Sequence, residues 1–145
     1  MNNQKGMTLV EILAVLTILM IISYIIFSVF FGMNKNYAQI SGKTDLQKET
    51  NLIISTIRSY HLKNTGYKLS FDSTAKKAFI GDASASNQLN RNDLDLLTFT
   101  ITFKGTTYTN GDVTIDQTNK PIEITITLKD KEGQTYETTT MIKRY

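Results

Sequence analysis

From Ile12 to Met33 the chain runs for 22 residues without a charge, and no other feature of the sequence restricts the fold as much. As a helix rising about 1.5 Å per residue, the run extends about 33 Å, close to the hydrocarbon thickness of a bilayer. That length predicts a transmembrane helix. A secretory signal peptide has a shorter apolar stretch and a small-residue exit, which Phe30, Phe31 and Gly32 do not supply. The helix is therefore expected to be retained. Lys5 precedes the span while Lys35 and Lys43 follow it, so positive charge alone gives only a faint orientation.

Beyond Gly32 the pattern becomes amphipathic. Tyr37, Ile40, Thr44, Ile53, Ile57 and Tyr60 recur at three- and four-residue steps, with Leu52 and Ile54 broadening the stripe. Asn64-Thr65-Gly66 ends this helix, with Gly66 suited to the left-handed position that follows a helix. Gly32 and Gly42 are its candidate hinges. The remainder alternates with period two: Leu97, Phe99, Ile101 and Phe103 against Thr98, Thr100, Thr102 and Lys104, and Ile122, Ile124, Ile126 and Leu128 against Glu123, Thr125, Thr127 and Lys129. Asp130-Lys131-Glu132-Gly133 predicts a turn, and Tyr136 to Ile142 a returning strand. Weaker strands fit Tyr67 to Phe71 and Lys77 to Ile80, while Gly81 to Asp93 reads as a surface loop. The fold class is α+β: a long helix whose second half packs on a small antiparallel sheet.

Composition narrows the chemistry. Hydrophobic residues at 41% and aromatic residues at 10%, without repetitive tracts, predict a folded domain beyond the span. The absence of cysteine removes disulfides, thiolate metal sites and cysteine nucleophiles. His61 is the only histidine, and no Ser-His-Asp set, H-E-x-x-H motif or phosphate loop is present. Catalysis has nothing to rest on, and no cofactor or metal is expected. His61 reads as a helix-end residue. Asp93 with Asp95, and Asp112 with Asp116, lack the spacing of a calcium loop and read as solvated turn carboxylates. Tyr108 and Tyr136, near Lys104 and Lys131, read as ordinary sheet residues rather than a nucleic-acid platform. The formal charge of +3 gathers between Asn34 and Lys63, where Lys35, Lys43, Lys48, Arg58 and Lys63 face only Asp45 and Glu49. Such a distribution suits a phosphate or anionic lipid surface, and its plain reading is a solvated helix face.

The residues that carry function stand before the span, in Lys5-Gly6-Met7-Thr8-Leu9-Val10-Glu11. Here the sequence resembles the type IV prepilin family, which includes pilins, the pseudopilins of type II secretion and the competence pseudopilins of DNA uptake. The resemblance covers roughly the first 33 residues. It implies a leader, residues 1–6, removed by a prepilin peptidase after Gly6, and methylation of the new amine on Met7. The family usually has Phe where Met7 stands. Glycine before the cut also makes sense chemically, because it lets the backbone lie close to a catalytic site. Glu11 argues from physics as well: a carboxylate in a membrane helix costs about 2.5 to 3.5 kcal/mol at the bilayer centre and less near the interface, and so calls for a partner. By the resemblance that partner is the terminal amine of a neighbouring subunit, with Thr8 alongside in the assembly motif. A carboxylate that simply stays wetted at the interface end, or sits favourably near the positive helix N-terminus, is the alternative.

The resemblance further implies a cytoplasmic N-terminus, residues 7–33 as a transmembrane and filament-core helix, and residues 34–145 as a pilin-like domain made of a helix at 34–63 and a sheet at 67–145. Phe31 to Tyr37, leading through Leu52 and Ile57, is similar to J- or W-type minor pilins and pseudopilins. The expected partners are the peptidase, other pilin subunits, an assembly platform and ATPase acting indirectly, and the membrane, with nucleic acid only at the level of a whole filament. Without Lys5 the basic residues number 15 (16 minus one) against 13 acids, so the mature chain is barely basic. A single-span protein that displays a binding domain without entering a filament is the competing reading.

Overall fold

The computed structural model describes residues 8–81, 86–116 and 120–144. The chain divides into two compact units, residues 1–40 and 41–145. Both contain part of α1 (Leu9–Lys63), a 55-residue helix.

In the first unit, every residue from Leu9 to Ile40 is exposed apart from the half-buried Ser23. The apolar run thus has no protein core of its own to enter, and α1 includes a stretch long and apolar enough to cross a membrane. Of the residues expected to open an amphipathic stripe, Tyr37, Ile40 and Thr44 are exposed.

The second unit buries Leu46, Glu49, Thr50, Ile53, Ile57 and His61 of α1. These steps of three and four keep one helix face inward. Leu52 falls outside that face and is exposed, while Ile54 packs at its margin. The helix closes where Asn64 donates to the Tyr60 carbonyl from both its backbone N (3.0 Å) and Nδ2 (3.2 Å). Gly66 does not take the expected left-handed conformation. Its role is close approach, since a Cβ there would lie 3.3 Å from the Ile115 carbonyl oxygen. Gly42 is likewise a contact point, with the Gln134 side chain resting where its Cβ would be.

The antiparallel part forms two sheets where one was expected. The first has the order β3-β2-β1-β6 and comprises β1 (Tyr67–Asp72), β2 (Lys77–Gly81), β3 (Ser86–Gln88) and β6 (Gly111–Ile115). The second, β5-β4-β7-β8, comprises β4 (Asp95–Phe103), β5 (Thr106–Tyr108), β7 (Ile122–Lys129) and β8 (Thr135–Ile142). Their apolar faces and the inner face of α1 share one core, in which Leu46, Ile57, Leu69, Ile80, Ile115, Ile124 and Ile126 have no exposure.

Three local features depart from simple alternation. A register shift between Leu96 and Thr98 turns Leu96 inward and leaves Leu97 exposed, so Leu97 does not share the buried face of Phe99. A bulge inserts one residue and flips everything before it to the other side of the pleat. The expected surface loop from Gly81 to Asp93 contains β3 and the buried residues Leu89 and Asn90. Lys104 and Gly105 form a two-residue hairpin between β4 and β5, both with positive φ (52° and 79°), the conformation that matches strand twist. The turn before β8 is as expected: Gln134 N donates to Asp130 Oδ1 at 2.8 Å, and Gly133 has a φ of 88°.

Candidate functional site

The motif ahead of the apolar run is described from Thr8 onward; Gly6 and Met7 lie outside the described residues. Thr8 starts the helix. Its carbonyl accepts from the backbone N of Glu11 (3.0 Å) and of Ile12 (3.2 Å), and its Oγ1 accepts from Glu11 N at 3.3 Å. That is N-cap chemistry: a hydroxyl satisfies one of the amide donors a helix start leaves open. Thr8-Leu9-Val10-Glu11 has the threonine and glutamate spacing of a capping box, a signal legible in the sequence. Only the threonine half of the box is made here.

Glu11 therefore occupies the first turn of α1, where the partial positive charge of the amide ends favours a carboxylate. Its side chain is exposed, and among the described residues nothing donates to the carboxylate. Capping engages the backbone of Glu11 and leaves its charge outward. The arrangement presents one anion at the mouth of an apolar helix, available to a cation from another molecule.

The other residues singled out by sequence are structural. His61 is fully buried, with Nδ1 3.1 Å from the Tyr67 hydroxyl, and so is a core residue in the last helical turn. Burial pushes the Tyr67 phenol well above its ordinary range. The four aspartates considered for calcium are each matched to a base: Asp93 to Arg91, Asp95 to Lys76, Asp112 to Lys68 and Asp116 to Lys104. Hydrogen bonds from Arg91, Lys76 and Lys104 hold Asp93, Asp95 and Asp116 below the usual carboxylate range. Tyr108 and Tyr136 pack half-buried against the core. The two acids of the basic helical stretch both turn toward Arg91, Asp45 through an ion pair and Glu49 by accepting from the Arg91 backbone N at 3.0 Å. Lys43, Lys48, Arg58 and Lys63 stay exposed.

Sequence reasoning missed Asn90, which is 3% exposed. Its Oδ1 accepts from Ala78 N (3.1 Å), and its Nδ2 donates to the carbonyls of Lys76 (3.2 Å) and Leu94 (3.0 Å). One amide thereby ties the segment before β4 to β2. Asn90 stands in a polar run between Asn87 and Asn92, and nothing in the sequence sets it apart from them.

No curated protein and no solved structure matches the chain. One family model does: the prokaryotic N-terminal methylation motif, over residues 1–27. With Thr8 capping the helix, Glu11 in its first turn and a membrane-length apolar run behind them, the N-terminal segment carries the type IV prepilin signature.

Proposed function

We propose that the chain is a minor pilin or pseudopilin: a non-enzymatic subunit of a type IV pilus-like filament serving DNA uptake, pilus biogenesis or protein secretion. A prepilin peptidase cuts after Gly6 and methylates Met7, and the apolar helix holds the subunit in the cell membrane with its N-terminus cytoplasmic. Other pilin subunits, an assembly platform and its ATPase then move it into a filament at the cell surface.

The observation that carries this reading is Glu11, an exposed carboxylate in the first turn of α1 with no donor among the described residues. A charge at the start of an apolar helix is stabilised by a partner. The cut after Gly6 creates a cation four residues before Glu11, on Met7, and that amine on a neighbouring subunit sets the register between two helices. Thr8 contributes by fixing where the helix starts.

Coexpression with a prepilin peptidase, followed by mass spectrometry of the N-terminus, tests the reading. The expected product begins at a methylated Met7. A chain that keeps Met1 under these conditions refutes it, and favours a single-span protein that displays its domain without processing.

A further inference from the structure

Tyr24 stands at the middle of the apolar run. The midpoint of Ile12 to Met33 falls between Ile22 and Ser23, which puts Tyr24 about 2 Å along the helix axis from the centre and about 13 Å from the nearer end of the run. Tyrosine in membrane helices favours the interfaces, where its hydroxyl meets water. From this depth the side chain does not reach one. Tyr24 is 75% exposed, and among the described residues its phenol has no hydrogen-bond partner. In hydrocarbon an unpaired hydroxyl is costly.

Tyr24 also has polar company on one side of the helix. Between Ile12 and Met33 the other polar side chains are Thr17, Ser23 and Ser28. At about 100° per residue, Thr17, Tyr24 and Ser28 fall within about 40° of one another, and only Ser23 lies off the stripe. Thr17 complements Tyr24 in hydrogen bonding. Its own proton goes to the Ala14 carbonyl at 2.8 Å, which leaves the Thr17 oxygen as an acceptor, while Tyr24 offers a donor. Both side chains lean toward the helix N-terminus. Seven residues, about 10 Å of helix, separate them, too far to meet within one chain.

We propose that this face pairs with the same face of a second copy in the membrane, through the Tyr24 hydroxyl donating to Thr17 of the neighbour. Two copies inserted with the same orientation lie parallel, and sliding one by about one turn brings Thr17 of one near the phenol of the other. Lipid offers no acceptor at that depth, whereas a second copy does. Ser28 and Gly32, four residues apart, allow close approach on the same side. The inference rests on the membrane-spanning reading and concerns subunits before any filament forms.

The test uses the full chain in membranes without an assembly ATPase, and the absence of cysteine makes the background clean. Ser28→Cys and Gly32→Cys are placed in differently tagged copies; a side chain at Gly32 meets nothing within 4 Å. Oxidation is expected to yield a mixed dimer, while Ile22→Cys with Ile26→Cys on the opposite face yields little. Tyr24→Phe in both copies is expected to lower the mixed-dimer yield about threefold, the size of an average interhelical hydrogen bond in membranes. Equal crosslinking on both faces, a yield unmoved by Tyr24→Phe, or a disulfide formed with a different protein overturns the proposal. Alkaline extraction separates the two levels: a chain that leaves the membrane refutes the spanning reading and the pairing together, whereas one that stays but does not crosslink refutes the pairing alone.

Discussion

Arg91 and Asp45 meet at 2.8 Å, Nη2 to Oδ2, across 46 positions of sequence, and join the segment before β4 to the second half of α1. Around this pair, Arg91 spends its other donors nearby. Nε and a second Nη2 bond go to Asp93, and the backbone N goes to the buried Glu49. The guanidinium is a surface tie, while the main-chain bond beneath it is partly buried.

That division predicts a small effect of Arg91→Ala. The backbone bond to Glu49 survives the substitution, and the lost ion pairs are exposed, so stability falls only slightly. At about 1 M salt, where the screening length is about 3 Å, the difference from the parent is expected to vanish. Urea unfolding of the full chain in detergent, at low and high salt, checks both points.

Asn90→Ala is expected to cost more, about 2 to 3 kcal/mol. Its three partners are the backbone groups of Ala78, Lys76 and Leu94; removal of one buried side chain takes its bond from each, and only the Lys76 carbonyl keeps another, from the Leu96 N at 3.2 Å. Asn90→Asp restores the shape and the acceptor but not the two donations, so it is expected to fail as a rescue. Thermal unfolding of both variants, with little dependence on salt, distinguishes this from the Arg91 effect.

The pH dependence has two limbs with different causes. Tyr67 is buried and its phenol titrates above the ordinary value of about 10. Above pH 10 the unfolded chain releases this proton and the folded chain keeps it, so stability falls as pH rises, by up to about 1.4 kcal/mol per pH unit. Tyr67→Phe is expected to flatten this limb. Asp93, Asp95 and Asp116 have depressed values, so the stability they contribute is present above the usual carboxylate range and is lost as pH falls through their folded values. Those groups are exposed, and the acid limb is expected to shrink in salt while the alkaline limb does not. Unfolding midpoints from pH 2 to 11 at two salt concentrations test the asymmetry.

Glu11→Ala is expected to leave cleavage and methylation intact and to lower filament yield about tenfold or more, the scale of a lost hydrogen bond to a charged group. The cap survives because Thr8 bonds the backbone N of Glu11 and not its carboxylate. Quantifying sheared surface filaments against the processed membrane pool measures this. Normal filament yield removes the salt-bridge argument.

The sequence alone determined what is local or periodic. The uncharged run, the Gly6 to Glu11 motif and the hairpin around Asp130 are readable because length, residue order and the period of a strand are properties of neighbours. The helical stripe was half legible: the spacing was right, but Tyr37 and Ile40 are exposed and burial begins at Leu46, since periodicity does not say where a helix meets its core. The bulge at Leu97 misled the alternation because one inserted residue inverts the pattern without altering composition. Only the tertiary structure decided the two sheets, the burial of His61 against Tyr67, the threefold bonding of Asn90 and the union of Arg91 with Asp45. Most of these contacts join groups far apart in sequence, and all of them depend on packing that no single segment specifies.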